Sequence, residues 1–554
     1  MADTYLEMAQ LLFNDVVMTP SQLEVKYQQR ALPEGAKVTR IAPSPTGFVH
    51  FGNLFPALVS ERLAHQSGGV FLLRIEDTDA KRKVEGAVEM IIDQFNNYGF
   101  NFDEGAVKSG DSGSYGPYRQ SERVDIYHVY AKMLVEKGLA YPCFCTADEL
   151  ETMRAEQEQQ KVPIGYYGKW AKYRDCDIDT VKQLLADKKP YVLRLKSPGV
   201  LSGRIKVHDL VKGELELDEN YLDQVLLKSD GVPTYHFAHA VDDHLMRVTH
   251  VVRGEEWLSS LPLHLQLFNV LEFKPPKYLH ISLLMKKEGD SKRKLSKRKD
   301  KEAALSYYHA EGYPADSVME YVMTVLNSNY EQWHQQNPDK NYRDFKFSVS
   351  KLGASSSLFD LDKLLDVSKN VIAAMDSKTV LESVVDWAKQ YDIDLYNHIL
   401  SDKNYALKIF SIGRTGPKPR KDIAKWSDVR DYISFFYDDM FEYKDTLPEN
   451  ISAGDAVMIL EKYKGIYHSD DESEIWFERI KKLADELGYA MRPKDYKNEP
   501  EKYKGHVGDV SMVLRLAVSG KQCSPDMYSI MRILGHDRVI ERLEKAIGVF
   551  GGSN

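Results

Sequence analysis

The chain has 554 residues, 43% of them hydrophobic and 28% charged, with a formal net charge of −9. That length carries about three or four domains at roughly 100–200 residues each. The composition is that of a globular protein, and the negative balance excludes a chain that coats nucleic acid non-specifically while leaving room for local basic patches.

Residues 1–35 read as a short helical extension closed by Pro33-Glu34-Gly35. The start carries Asp3 and Glu7 and shows no basic n-region, Arg-rich leader or long apolar stretch, so neither targeting segment nor membrane span is expected. Lys37–Ala42 predicts a buried strand and Pro43–Gly47 a turn. A helix is expected from Gly52-Asn53 through Leu54, Leu58, Leu63 and Ala64, stopped by Gly68-Gly69, with Val70–Ile75 as the next strand. This strand–turn–helix–strand order indicates an α/β fold with a parallel doubly wound sheet and ligand at the carboxyl ends of its strands.

Tyr141 to about Lys212 reads as an insertion, with the Cys143-x-Cys145 pair, a polar helix over Glu149–Lys161 and the aromatic run from Tyr166 to Trp170. The sheet is expected to resume with Val225–Leu227 and His250–Arg253. Beyond Arg298 amphipathic helices take over, for example Glu382–Lys389, Asp455–Tyr463, Trp476–Leu487 and Ile540–Ile547, so the C-terminal third is expected to be all-helical. Four cysteines, with Cys176 and Cys523 completing the set, are too few for a disulfide framework; a reducing compartment, the cytoplasm, is expected.

Two distant segments carry the chemistry. In the first, His50 stands just ahead of Gly52 and Asn53 at the mouth of a helix, after Arg40-Ile41-Ala42-Pro43-Ser44-Pro45-Thr46-Gly47. A helix N-terminus offers N–H groups and partial positive charge to phosphate, and a glycine lets backbone approach closely. In the second, Lys294-Leu295-Ser296-Lys297-Arg298 sits inside a basic run over 286–301. A solvated loop is the plain reading of such a run. As a catalytic loop it would steady the charge that builds when a carboxylate attacks the α-phosphate of ATP, with Lys297 the first candidate and Lys294 the second.

Together these segments resemble the two ATP-binding pieces of a class I aminoacyl-tRNA synthetase, and their flanks narrow the resemblance to the bacterial-type glutamyl-tRNA synthetases. The flanks are Leu73-Arg74-Ile75-Glu76-Asp77-Thr78-Asp79, the run Pro233–His244 and the run His250–Leu258. The resemblance implies catalytic roles for His50, Lys294 and Lys297. It implies ATP contacts from His50, Gly52, Asn53, Glu256, Lys294, Ser296, Lys297 and Arg298. Glutamate contacts would come from Arg40, Ala42, Ser44, Glu76, Tyr235, His239 and Arg253. Arginine forks suit carboxylates, and a buried arginine facing a neutral amide would disfavour glutamine; which arginine faces the side-chain carboxylate is left open. His239 stands where the family commonly has Asn, and an imidazole there could titrate near neutral pH.

The resemblance also implies an organisation: an extension at 1–35, a Rossmann-like catalytic domain split into 36–124 and 223–285, and an inserted acceptor-end-binding domain at 125–222. A KMSKS-type loop and stem-contact domain would follow at 286–370 and a helical anticodon-binding domain at 371–554, where Arg414–Lys421 is the best basic patch. ATP with Mg²⁺, L-glutamate and tRNA(Glu) are the implied cofactor and partners, with tRNA(Gln) a second acceptor left open; a monomer is expected, and the first step could require tRNA. Some family members hold a structural zinc in the insertion. Here Trp170 takes the place of the final Cys, leaving Cys143, Cys145 and Cys176 as weak candidates, and zinc is disfavoured on ligand count. The competing readings are a glutaminyl-tRNA synthetase, a truncated paralogue that glutamylates a tRNA base, and a non-catalytic tRNA-binding homologue. Ala42-Pro43-Ser44-Pro45-Thr46-Gly47 counts against the first, length against the second and the presence of both ATP segments against the third.

Overall fold

A computed structural model describes residues 2–552 apart from 80, 81, 83, 297, 354–356 and 417. Lys297 and Pro417, each within a basic segment singled out above, lie outside the described residues. The chain divides into two compact units, Met1–Tyr308 with Met319–Asp360, and His309–Val318 with Leu361–Asn554.

In the first unit, β1 (Val38–Ile41), β2 (Val70–Leu73) and β3 (Glu104–Val107) run parallel, with Val38 opposite Val70 and Leu72 opposite Glu104. The short β4 (Gly110–Ser112) returns antiparallel against β3. A second parallel pair, β10 (His250–Gly254) and β11 (Lys277–Ile281), lies beside β1. The join is at Thr249, whose N–H donates to the Val38 carbonyl at 2.9 Å. Helix α3 (Leu54–His65) packs across β1, β2 and β10. Every residue of β1 and β2 is buried; β2 reads as an unbroken apolar run, whereas β1 carries Thr39 and Arg40 between Val38 and Ile41.

The insertion holds α5 (Val124–Glu136), β5 (Ala140–Cys143), α6 (Ala147–Gln159), α7 (Ile178–Ala186) and β6 (Val192–Leu195). The hairpin of β7 (Arg204–Asp209) and β8 (Gly213–Asp218) and then β9 (Val225–Leu227) follow. Here the structure corrects the sequence reading. Val225–Leu227 does not resume the parallel sheet; it is the third strand of the antiparallel β5-β6-β9 sheet, with Leu227 opposite Leu193. A short apolar triplet satisfies either sheet, and periodicity does not identify its partner. The polar helix begins two residues earlier than expected because Thr146 and Glu149 form a reciprocal capping box.

The N-terminal extension forms α1 (Ala2–Leu12) and α2 (Pro20–Lys26) and docks on the first unit. Met8, Phe13, Leu23 and Tyr27 join one core cluster with Tyr127 and Leu134, and the Arg30 guanidinium pairs with Glu104 at 2.7 Å. The first part of the basic run forms a β-hairpin, β12 (Leu284–Glu288) and β13 (Ser291–Lys294), turning at Gly289 in the left-handed region (φ 60°) that glycine tolerates.

In the second unit the described residues form helices, with long examples at Ser377–Tyr391, Ala453–Ile466, Ser473–Glu486 and His536–Gly551. Each coincides with one of the amphipathic segments read from the sequence, and their apolar faces share a core with Trp387, Trp426, Val513 and Leu543. The basic patch there is partly structural. Arg414 donates to the Ile372 carbonyl at 2.7 Å, and Arg420 pairs with Asp422 at 2.6 Å.

Candidate active site

A cavity of about 900 Å³ opens at the carboxyl ends of β1, β2, β10 and β11, where doubly wound sheets place their ligands. Its wall brings together Arg40, Ala42, Ser44, His50, Gly52, Asn53, Glu76, Tyr235, Arg253, Glu256, Lys294 and Ser296. Residues more than 200 positions apart in sequence thus face one space. Arg298 and His239 are not part of that wall.

The two ATP-type segments meet through backbone. His50 bridges Ala304, just past the basic loop, and the Leu305 N–H donates to the Val49 carbonyl at 3.2 Å. A single 3₁₀ turn, Phe51–Asn53, precedes α3, and His50 caps it by accepting the Gly52 N–H on Nδ1 at 2.9 Å. That bond puts the ring proton on Nε2. A Cβ on residue 52 would stand 3.0 Å from His50 Nδ1, a tight contact that the absence of a side chain on Gly52 relieves.

The basic run resolves into two roles. Arg293 pairs with Asp300 at 2.6 Å, Lys286 pairs with both Asp300 and Glu302, and the Ser296 N–H donates to Asp300 at 2.9 Å. The hydrogen bond from Arg293, with the further help of Ser296 and Lys286, holds the Asp300 carboxyl well below the usual range. These cations fix the loop. Lys294 is exposed and meets Glu256 across the cavity at 3.3 Å. Arg298 is exposed on the loop, its N–H donating to Ser296 Oγ at 3.4 Å.

Behind the cavity wall lies a cluster of charged, buried residues. Arg74, fully buried, donates to Asp243 at 2.6 Å and to Glu76 at 3.2 Å. Arg40 shares Asp243 at 3.4 Å. Behind them Arg123 pairs with Asp242 at 2.6 Å, and the same carboxylate accepts from Tyr127 at 2.8 Å and Gln120 at 2.9 Å. Burial pushes Glu76 up to about 7 against the pull of Arg74 and Arg40. Burial also drives the Tyr235 hydroxyl up to about 12, so it stays a hydrogen-bond donor.

His239 departs from its expected place. It is fully buried behind Tyr235, the two rings stacked with centroids 5.9 Å apart, and its Nε2 meets the Tyr278 hydroxyl at 3.2 Å. Burial and the nearby Arg40, Arg253 and Arg74 drive its pKa well below the ordinary imidazole value. The imidazole is therefore neutral, and the titration near pH 7 suggested by its sequence position does not occur. His236, one turn earlier on helix α8 (Tyr235–Leu245), lines the cavity instead.

Sequence reasoning passed over His236, His264, His280 and Asp209, which surround Arg253. The available signals were a histidine inside the leucine-rich, mostly buried helix α9 (Leu261–Val270) and another in the buried strand β11. A polar residue in such a run needs a buried partner.

In the insertion, Cys143 Sγ and Cys145 Sγ lie 3.4 and 3.5 Å from the Tyr166 hydroxyl, in a small cluster with Ala171 that the Arg194 guanidinium covers. Cys176 packs against the neighbouring core instead. Among the described residues no group of three or more His, Cys, Asp or Glu side chains could hold a metal ion.

Comparison with known proteins agrees with this geometry. Residues 37–364 match the family of class I tRNA synthetases (E and Q), catalytic domain, and residues 496–547 match an anticodon binding domain. The chain is 50% identical over 544 residues to the glutamate–tRNA ligase of Acetivibrio thermocellus, covering 98% of this chain and 100% of that one. It is 48% identical over 552 residues to that of Clostridium perfringens, covering 99% and 100%. Among solved structures, a glutamate tRNA ligase from Elizabethkingia meningosepticum in complex with its amino acid superposes with a TM-score of 0.74 at 30% identity, covering 93% of this chain and 99% of that one. With the catalytic segments, the helical second unit and relatives matched from end to end, the chain belongs to the glutamate–tRNA ligase family of class I synthetases.

Proposed function

We propose that the protein activates L-glutamate with ATP and transfers it to the terminal adenosine of tRNA(Glu), with tRNA(Gln) a second acceptor to be tested. An α-carboxylate oxygen of glutamate attacks the α-phosphorus of ATP and pyrophosphate leaves. A ribose hydroxyl of the tRNA then attacks the acyl carbon and AMP leaves. No protein nucleophile is needed; the protein positions the reactants and stabilises charge. His50 through Nε2–H, Lys294, Lys297 and Ser296 serve the phosphates, and Lys294 exchanges Glu256 for phosphate oxygens when ATP enters. Mg²⁺ arrives with the triphosphate and is held chiefly by phosphate and water, as is usual for this ion. No helix among the described residues is long and apolar enough to cross a membrane. The protein acts as a cytoplasmic monomer, its insertion receiving the acceptor end and its helical unit the anticodon.

The observation that carries the choice of amino acid is the arrangement of charge at the cavity. Arg40 and Arg74 share Asp243 and Glu76, two positive charges against two negative ones, while Arg253 adds a guanidinium with no carboxylate within ion-pair distance among the described residues. These groups leave one positive charge in excess. Glutamate, with two carboxylates and one ammonium, supplies the complementary negative charge, whereas glutamine would leave a buried guanidinium unpaired. Incubation with ATP, Mg²⁺ and bulk tRNA should give acylated tRNA with glutamate and far less with glutamine. Binding of tRNA without acylation by any amino acid would favour the non-catalytic reading.

Two further outcomes follow. Glu76 is placed to accept from the substrate ammonium, and burial holds it near 7. Its raised pKa means that the ionised, ammonium-binding form prevails above pH 7 and is lost below. The KM for glutamate should therefore climb as pH falls from 7, by up to about tenfold per unit, and Glu76→Gln should flatten that profile. Gly52→Ala crowds the His50 ring, which must give by a few tenths of an ångström. It should lower kcat/KM for ATP, by up to about 10²-fold for a displaced catalytic group, while the KM for glutamate stays put.

A further inference from the structure

Arg40 and Arg253 line the cavity and Arg74 is buried behind it; the three are held in different ways. Arg40 and Arg74 sit against carboxylates. Arg253 is held by neutral acceptors. Its Nε donates to His280 Nε2 at 2.9 Å, Nη1 to His264 Nδ1 at 2.9 Å, and Nη2 to the Trp257 carbonyl at 3.4 Å. Of the five N–H groups a guanidinium carries, these bonds leave about two for an occupant of the cavity that Arg253 lines.

An imidazole nitrogen that accepts a hydrogen bond is deprotonated, so the contacts fix both rings as neutral tautomers. His280 must carry its proton on Nδ1, and Asp209 Oδ2 accepts it at 2.7 Å. Asp209, at the end of β7, is fully buried and also accepts from the N–H groups of Val211 at 2.9 Å and Lys212 at 2.8 Å. Against the cost of burial, these bonds and that from His280 keep Asp209 ionised. His264 must carry its proton on Nε2, which donates to His236 Nδ1 at 2.8 Å. The other face of the guanidinium rests 4.8 Å from the Tyr278 ring centroid. Burial lowers the pKa of both His264 and His280, which agrees with the neutral forms the bonds require.

A carboxylate at either histidine position would hold Arg253 as firmly but would cancel its charge before substrate arrived. We propose that His280 and His264 are positioning residues that orient Arg253 without neutralising it, with Asp209 setting the tautomer of His280, so that the guanidinium meets the substrate carboxylate with its charge intact. This deepens the reading of the cavity as an amino-acid-activating site and rests on it.

The test is steady-state aminoacylation with bulk tRNA, measuring the KM of glutamate and of ATP separately for each variant, alongside a thermal melt. His280→Leu removes the acceptor for Arg253 Nε, and His280→Gln returns one at the position of Nε2. The leucine variant should raise the KM for glutamate about tenfold, the factor for one lost buried hydrogen bond, with the KM for ATP unchanged. The glutamine variant should recover most of that loss. Asp209→Asn, which keeps shape and releases the tautomer, should shift the KM for glutamate in the same direction. His264→Asp should lower the ratio of kcat/KM for glutamate over glutamine at least about tenfold, because it gives Arg253 a carboxylate of its own. Equal behaviour of His280→Leu and His280→Gln, parallel movement of both KM values, or an unchanged glutamate-to-glutamine ratio in His264→Asp would overturn the proposal. If a leucine variant does not fold, the Asp209→Asn and His264→Asp outcomes decide it. If the unsubstituted protein charges a different amino acid, the assignment of glutamate fails, while the KM split read with that amino acid still tests the positioning.

Discussion

Replacing Arg253 by glutamine should lower kcat/KM for glutamate by about 10²–10⁴, the cost of roughly two charge-assisted hydrogen bonds at about 1.5–3 kcal/mol each. Arg253 lines the cavity at the end of β10 and has no carboxylate to balance it among the described residues. Glutamine keeps the stem and one donor but not the charge, so the loss falls on the amino acid rather than on ATP. The KM for ATP should change little, and the melting temperature should fall only modestly, because buried histidine acceptors lose a donor but no buried carboxylate loses its partner. Kinetics with both substrates varied check this. A variant that retained wild-type kcat/KM for glutamate would move the recognition of the substrate carboxylate away from Arg253.

Arg74→Met should instead act on the fold. Arg74 is fully buried and ties Asp243 to Glu76, with Asp242 at 3.9 Å on its other side. Removing one member of a buried ionic network strands its partners in a dry interior, which costs about 3–5 kcal/mol. For a unit of about 350 residues that corresponds to a fall in melting temperature of roughly 4–7 °C. Arg40 remains to compensate one carboxylate, which places the expected shift toward the lower end of that range. A thermal melt of the purified variant reads the shift directly, and a melt unchanged within a degree or two would show that the cluster is solvated rather than dry.

The parts of this protein that were legible in sequence are those that local chemistry writes. β1, the turn after it, Gly52 and helix α3 form one continuous stretch whose apolar runs and turn residues announce themselves. The amphipathic helices of the second unit are legible for the same reason, because a 3.6-residue period survives without knowledge of partners. The pairing of Val225–Leu227 was not legible, because three apolar residues carry no record of which sheet they join. Nor was the support of Arg253, which gathers Asp209 from the hairpin, His264 from α9 and His280 from β11. His239 shows the converse error. Its place in a motif suggested a ligand-facing side chain, yet it lies behind Tyr235 and its neighbour His236 faces the cavity. In the basic run the sequence singled out Lys297 and Lys294 but gave the other cations no role; Asp300 and Glu302 separate those that fix the loop, Lys286 and Arg293, from Lys294 at the cavity.

The most direct test of the account is ATP–pyrophosphate exchange by the unsubstituted protein with glutamate or glutamine, each with and without bulk tRNA. The charge arrangement around Arg253 predicts exchange with glutamate at a rate at least about 10²-fold above that with glutamine, and the arms with and without tRNA test whether the first step requires it. Exchange without tRNA would leave the pocket assignment intact and remove the tRNA requirement, whereas equal or faster exchange with glutamine would contradict the central claim that an uncompensated guanidinium selects the substrate.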